Sequence, residues 1–376
     1  MKIGIVTTMN ALSWAGSEEL WYGAAQELLD AGHDVCVYYP AVRGWAPQLA
    51  ALRDRGAKVQ GFGWRSAFLT ALTGHLGKRI RKLPVAHPIP HSNAWRSMDL
   101  VLVSQGGCVD GQPWLELLGR RGVPYVVLCQ ANMESVWPDD QTAERLRRYF
   151  GSARAALFVS GENERLFRVQ TAYDAQNTDV VWNPLQPSTP HESLPWPAED
   201  GTWRMAVVGR IEPFAKGQDL LIDVLDRPEW RARNLELTIY GRGPWEATAR
   251  VLIERRGLSN IRFGGFASPT EVWRRHHILA LPSRHEGMSL AMLEAMWLGR
   301  PVVATAVAGA LSEIREGCNG FLSRAATVDC WGEAMETAWA QRDRWFDMGQ
   351  SAADLIRKRM PADPKKALAE RLVSSL

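Results

Sequence analysis

Short runs of β-branched and aliphatic residues alternate with longer amphipathic stretches along most of the chain. The first run, KIGIVTT at 2–8, passes through a loop holding Gly16 into EELWYGAAQELLDAGH at 18–33. There Leu20, Ala24, Leu28 and Leu29 share one helical face, and Gly32 supplies the stop. DVCVYYP, DLVLVSQGG, YVVLCQAN and ALFVSGEN follow, each short enough for a strand and apolar enough to be buried on both faces. Continuous apolar runs of this kind predict a parallel sheet covered by helices.

The pattern breaks once and then restarts. NPLQPSTPHESLPWPAEDG at 183–201 has five prolines and no periodicity, which predicts a linker over 184–202. WRMAVVGR, LELTIYGRG, IRFGGF, HILALPS, PVVAT and GFLSR then repeat the strand texture with helical patterns between them. The expectation is an α/β fold of two doubly wound, Rossmann-like domains, 1–183 and 203–350, with parallel sheets facing a central cleft. The segment 351–376 is expected to end in a helix that crosses back to the first domain. Ligands of such sheets sit at the carboxyl ends of the strands, so function is sought in strand-exit loops.

Composition narrows the classes. A chain of 376 residues is long enough for two cores, and 44 basic against 41 acidic residues leave a formal charge of +3, too little for a nucleic-acid partner. An anionic ligand must therefore be bound locally. The five cysteines are scattered without a CxxC pair, against a disulfide framework or structural zinc. His276, His277 and His285 have no carboxylate or cysteine at ligand spacing, so no metal is expected. MKIGIVTTMN is too short an apolar run for a signal peptide, and no later stretch approaches ~18 apolar residues. A cytoplasmic protein is expected, at most peripheral at the inner membrane face. The one stretch suited to that contact is FLTALTGHLGKRIRKLP at 68–84, whose Lys78, Arg79, Arg81 and Lys82 can rest on anionic lipid, near the lower limit of charge for it, or simply form a solvated helix end.

Three strand exits of the second half carry chemistry. In VVGRIEPFAKGQDLLIDVL, Arg210 leaves the strand and Lys216 precedes Gly217 at a helix start. Two cations beside free helix amides suit a diphosphate, although a solvated Arg and Lys on a loop would look the same. IYGRGPW holds Gly243 in a tight turn. In LALPSRHEGMSLAMLEAMWLGRPVVAT, Glu286 lies in a loop, Gly287, Met288, Ser289 and Leu290 offer amides at a helix start, and Glu294 lies about a turn inside. A carboxylate within the apolar LAMLEAMWLG needs a partner, and its two oxygens suit a vicinal diol such as ribose.

From Trp203 to about Ser323 the chain resembles the family 4 retaining glycosyltransferases of GT-B fold, marked by GR…KG, a GxGP turn and ExGxxLxxxEAMxxGxPVVAT. These read here as Gly209-Arg210…Lys216-Gly217, Gly241 to Pro244, and Glu286 to Thr305. The resemblance implies transfer of a sugar from a UDP- or GDP-sugar donor to a hydroxyl of a glycan, lipid-linked or natural-product acceptor, without a metal or other cofactor. It implies that Arg210 and Lys216 bind the donor diphosphate, Glu286 contacts the transferred sugar, the 287–290 amides hold sugar and phosphate oxygens, and Glu294 binds ribose. Gly16, Gly209 and Gly243 would let the backbone approach the donor.

The first half resembles the family only in outline. TMNALSWAGSEE has Ala15-Gly16 where a double glycine is common, and Gln105 and Gln130 stand at the strand exits where many members carry a histidine. Gln105, Gln130, Asn132 and Trp14 are the candidates for sugar or acceptor contact, with Trp137 a further aromatic platform among 17 tryptophans. A glutamine cannot titrate as histidine does. In the mechanism the family implies, however, the leaving diphosphate takes the acceptor's proton on the same face. Two other readings stand beside transfer: a sugar-nucleotide epimerase or phosphorylase of the same architecture, and a non-catalytic homologue that activates a partner.

Overall fold

The computed structural model describes residues 1–9, 14–40, 46–62 and 93–376, so the basic stretch at 68–84 lies outside the described residues. The expected α/β fold is found: two parallel sheets, each in its own compact unit. The first unit holds β1 (Lys2–Thr7), β2 (Asp34–Pro40), β3 (Lys58–Phe62), β4 (Leu100–Gly107), β5 (Tyr125–Ala131), β6 (Ala155–Phe158) and β7 (Thr178–Val180). They lie in the order β3-β2-β1-β4-β5-β6-β7, every neighbour parallel. Strand order reverses between β1 and β4, where Thr7 pairs with Ser104. The helix Glu19–Asp30 buries Leu20, Ala24 and Leu28 of the face that its apolar spacing predicts, adds Trp21 and Ala25 to it, and leaves Leu29 half-buried.

The second unit holds β8 (Trp203–Val208), β9 (Leu235–Tyr240), β10 (Ile261–Gly265), β11 (Ile278–Leu281), β12 (Val302–Thr305) and β13 (Gly320–Ser323). Their order is β10-β9-β8-β11-β12-β13, again all parallel, and it reverses between β8 and β11. Such a reversal separates the two flanking connections and opens a crevice at the carboxyl ends of the strands.

The helix Trp345–Arg359 stays in the second unit through Met360, later than the boundary expected at 351. The reason is that its buried face of Met348, Ala352, Ala353 and Ile356 is one continuous stripe. Pro361–Leu376 belong to the first unit, where the helix Pro364–Val373 lies against Glu19–Asp30 and Lys365 covers Gly23.

The proline-rich segment from Leu185 belongs to the second unit. Arg300, fully buried, donates to the carbonyls of Leu194 and Pro195 and to those of Trp273, His276, Leu298 and Gly299. Burial pushes its guanidinium down to about 10. No helix among the described residues is long and apolar enough to cross a membrane.

Candidate active site

The exits of β8 and β11 flank the reversal point of the second sheet, and the structure binds them tightly to each other. After β8 the chain turns through Gly209 and Arg210 into the short helix Pro213–Lys216, which ends at Gly217 with φ +63°. A Cβ at Gly217 would lie 1.9 Å from the Pro282 carbonyl oxygen, so only glycine lets this turn rest on the β11 exit. The amide of Arg284 donates to the Ala215 carbonyl at 2.8 Å, and the Arg284 guanidinium grips Asp219 with two bonds of 2.7 Å.

This docking brings the predicted cation and carboxylate together. Lys216 Nζ lies 2.6 Å from Glu286 Oε1 across 70 residues of sequence, and Ser283 Oγ donates to the same oxygen at 2.7 Å. The Glu286 side chain is only 10% exposed, that of Lys216 26%. Arg210 pairs with Glu212, and its backbone carbonyl accepts from Gln218 Nε2 at 2.7 Å. Gly243 rests on this loop as well: a Cβ there would come within 2.2 Å of the Ile211 carbonyl oxygen.

The helix Leu290–Trp297 starts at Ser289, whose Oγ accepts from the Met292 amide at 3.4 Å. The first amides of a helix have no intrahelical acceptor and carry the positive end of its dipole. Met288 is buried against Gly309, whose amide donates to the Gly287 carbonyl at 2.8 Å. Glu294 sits inside this helix at 2% exposure, with Met292, Leu293, Ala295 and Met296 buried around it. Burial raises its carboxyl to about 8, opposed only by a hydrogen bond from the Gln186 backbone, and Oε1 has no protein partner. A buried acceptor without a donor costs roughly 1–3 kcal/mol, so this oxygen is suited to a ligand's hydroxyl.

The first unit treats its candidates unequally. Gln105 Oε1 accepts from the Gly111 amide at 2.7 Å, and Nε2 donates to the Cys108 carbonyl and Cys129 Sγ. Both ends of that amide are occupied by the protein. Gln130, also buried, has partners for neither amide atom. Asn132 joins Gln170 at 2.9 Å and accepts from the Met133 amide. Trp14 donates to Glu19 at 2.7 Å and packs on Trp21 and Tyr22, whereas Trp137 is 59% exposed.

Gly16 opens the turn Gly16–Glu18, and this turn holds a residue that the sequence patterns did not single out. Glu18 is 1% exposed and accepts from Trp21 Nε1 at 2.9 Å, from Ser17 Oγ and from the Thr7 hydroxyl. Burial raises it to about 7 in spite of those donors. The adjacent pair EE at a helix start was its only signal. His276 and His277 are buried, with Nδ1 bonded to the Val272 carbonyl and the Arg204 amide respectively.

Residues 203–341 match the family model for glycosyl transferases group 1. That match lies wholly within the second unit. Among curated relatives, D-inositol 3-phosphate glycosyltransferase of Corynebacterium glutamicum (strain R) is 34% identical over 167 residues, 41% of this chain and 39% of that protein. The enzyme of that name from Kribbella flavida is 28% identical over 72% of this chain and 67% of its own. A GDP-mannose-dependent mannosyltransferase of phosphatidylinositol monomannoside from Mycobacterium tuberculosis is 28% identical over 40% of this chain and 41% of its own. The chain thus spans about two fifths of the first of these relatives. Among solved structures, Anabaena HepE in complex with UDP aligns over the whole of both chains at a TM-score of 0.73 and 17% identity. TarM of S. aureus aligns at 0.71 and 13%, over 100% and 99% of the two chains. At such identities the likeness is one of fold, and that fold is GT-B.

Proposed function

We propose that the protein is a retaining glycosyltransferase, moving a sugar from a nucleoside-diphosphate sugar to a hydroxyl acceptor. The observation that carries the reading is the Lys216–Glu286 pair at 2.6 Å, with Arg210 in the same β8-exit loop and the unpartnered Glu294 oxygen in the helix that follows Glu286. Residues from separate motifs converge at one sheet reversal, which a surface role for each would not require. Arg210 and Lys216 take the diphosphate, with the amides of 287–290 completing the anion site. Glu286 accepts from hydroxyls of the transferred sugar, and Glu294 from the ribose.

Catalysis then rests on stabilising the leaving diphosphate electrostatically as the glycosidic bond breaks, most strongly when its charge is greatest. The diphosphate takes the proton of the incoming hydroxyl on the same face, so no titrating side chain is needed at Gln130. Charge stabilisation comes from the two cations, and activity should survive EDTA. The name of the Mycobacterium tuberculosis relative supports GDP as the nucleotide, the UDP complex of HepE leaves UDP beside it, and Gln130, whose amide atoms have no partner, stands as the acceptor candidate.

The test is incubation of the purified protein with UDP- and GDP-sugars, following nucleotide release and the anomeric configuration of the products. Slow release of one nucleoside diphosphate, with a retained anomer once an acceptor is supplied, is expected. Epimerised donor, or no turnover with any donor, would overturn the reading in favour of an epimerase or a non-catalytic homologue.

A further inference from the structure

A second concave site lies at the other edge of the same sheet, beside the amino ends of β8 and β11. It is a cavity of about 290 Å³, lined by Trp196, Trp203, His277 and Phe346, with Glu199, Asp343 and Arg342 among its polar lining. That volume is at the low end for ligand pockets, roughly 300–1,000 Å³, which suits a small unit better than a nucleotide sugar. The aromatic wall is preassembled: Trp196 meets His277 and Phe346 edge to face at 5.3 and 5.5 Å, and Trp203 meets Trp345 at 5.0 Å. Trp345 is buried at 1% exposure, whereas its neighbour Phe346 is 47% exposed. Phe346 thus adds an accessible ring face to a wall whose indoles are half-buried.

The charges around the wall select among ligands. An anion would meet Glu199 and Asp343. A cation of the kind that aromatic cages hold would meet Arg342, and the Arg300 guanidinium already stands over the Trp196 ring at 5.1 Å. His277 adds no charge, because burial holds its imidazole down to about 4. What remains is a neutral ligand with an apolar face for the rings and hydroxyls for carboxylates and guanidinium, which is the description of a pyranose.

We propose that this pocket binds a neutral sugar unit of a glycan, separately from the donor site. The linker residues Trp196 and Glu199 form part of its wall, so an occupied pocket would hold the proline-rich segment against β8 and β11.

Saturation-transfer NMR on the full chain tests this, with methyl α-D-glucopyranoside and maltoheptaose as probes and saturating UDP and, in a parallel sample, saturating GDP present. Saturation of either probe that persists with both nucleotides and weakens about tenfold in Phe346→Ala and in Trp196→Ala is expected, the variants being checked for folding by their thermal transitions. A signal from maltoheptaose alone would assign the pocket to a chain, and a signal from both to a single ring. Signal abolished by UDP or GDP, unchanged in both folded variants, or exceeded by choline would overturn the proposal. Binding that persists in a protein silent toward all nucleotide sugars would sink the transferase reading and leave this one standing.

Discussion

Glu18 and Glu294 occupy comparable places in the two units, each a carboxyl buried beside the carboxyl end of a parallel sheet near its point of reversal. Their surroundings differ. Glu18 accepts from a tryptophan and two hydroxyls, and its pKa of about 7 marks a burial cost partly offset by donors. Glu294 has one backbone donor, an oxygen with none, and a pKa of about 8. The glutamines repeat the contrast, Gln105 saturated by the loop it holds and Gln130 without partners. A buried polar group whose bonds are filled by its own fold serves the fold. One left incomplete is available to a ligand.

The largest effect should come from the two cations at the β8 exit. Arg210→Ala and Lys216→Ala are each expected to lower the transfer rate by ~100- to 1,000-fold while affinity for the intact donor falls less. Equal losses in single-turnover rate and donor affinity would make both residues simple anchors. Glu294→Ala should weaken nucleoside diphosphate binding by ~1.5–3 kcal/mol, about tenfold to a hundredfold, in a calorimetric titration. Glu18→Ala should leave that titration nearly unchanged and lower the melting temperature instead. If the two results were exchanged, the contrast would be lost.

The same pair predicts pH effects of the same sign and unequal size. A carboxyl whose folded pKa is raised contributes stability that is fully present below its unfolded value and lost as pH climbs through the folded one. For Glu294 that window runs from about 4.5 to about 8. Glu294→Gln should therefore gain on the wild type between pH 5 and pH 8, by ~2 kcal/mol after allowance for relaxation around the charge. Glu18→Gln should gain less, since its window closes at about 7 and its donors favour the ionised form. Denaturant midpoints at the two pH values would decide it.

The smallest effect concerns the glutamines. Gln130→Ala should cost ~1–2 kcal/mol in acceptor-dependent rate, the worth of one hydrogen bond. Gln105→Ala should cost stability, by freeing the Gly111 amide. An inert Gln130→Ala would remove it from the site. If Gln130→His raised activity, with a new titration near pH 6.5, the reading would move toward a degenerate enzyme.

The strands were legible because a parallel sheet buried on both faces leaves continuous apolar runs, and nearly every run quoted from the sequence is a strand. The convergence of Lys216 on Glu286 was legible only through spaced motifs. The rest depended on partners distant in the chain. Gln105 reads as an exposed strand-exit amide until Cys129, 24 residues on, and Gly111 are folded against it. Arg284 and Asp219, 65 residues apart, show no local pattern that would pair them. Arg300 follows a glycine and precedes a proline, a setting that reads as a turn.

Arg300 has a consequence for how this molecule meets salt. Its donors go to six backbone carbonyls, and none of the bonds found for it goes to a carboxylate. Exposed ion pairs such as Arg324 with Glu333 are screened over about 10 Å at 0.1 M ionic strength, but a guanidinium sealed among peptide dipoles is out of reach of mobile ions. Molar salt should loosen the charged surface and leave the proline-rich segment anchored, a strut that keeps its hold when the electrostatics around it have been quenched.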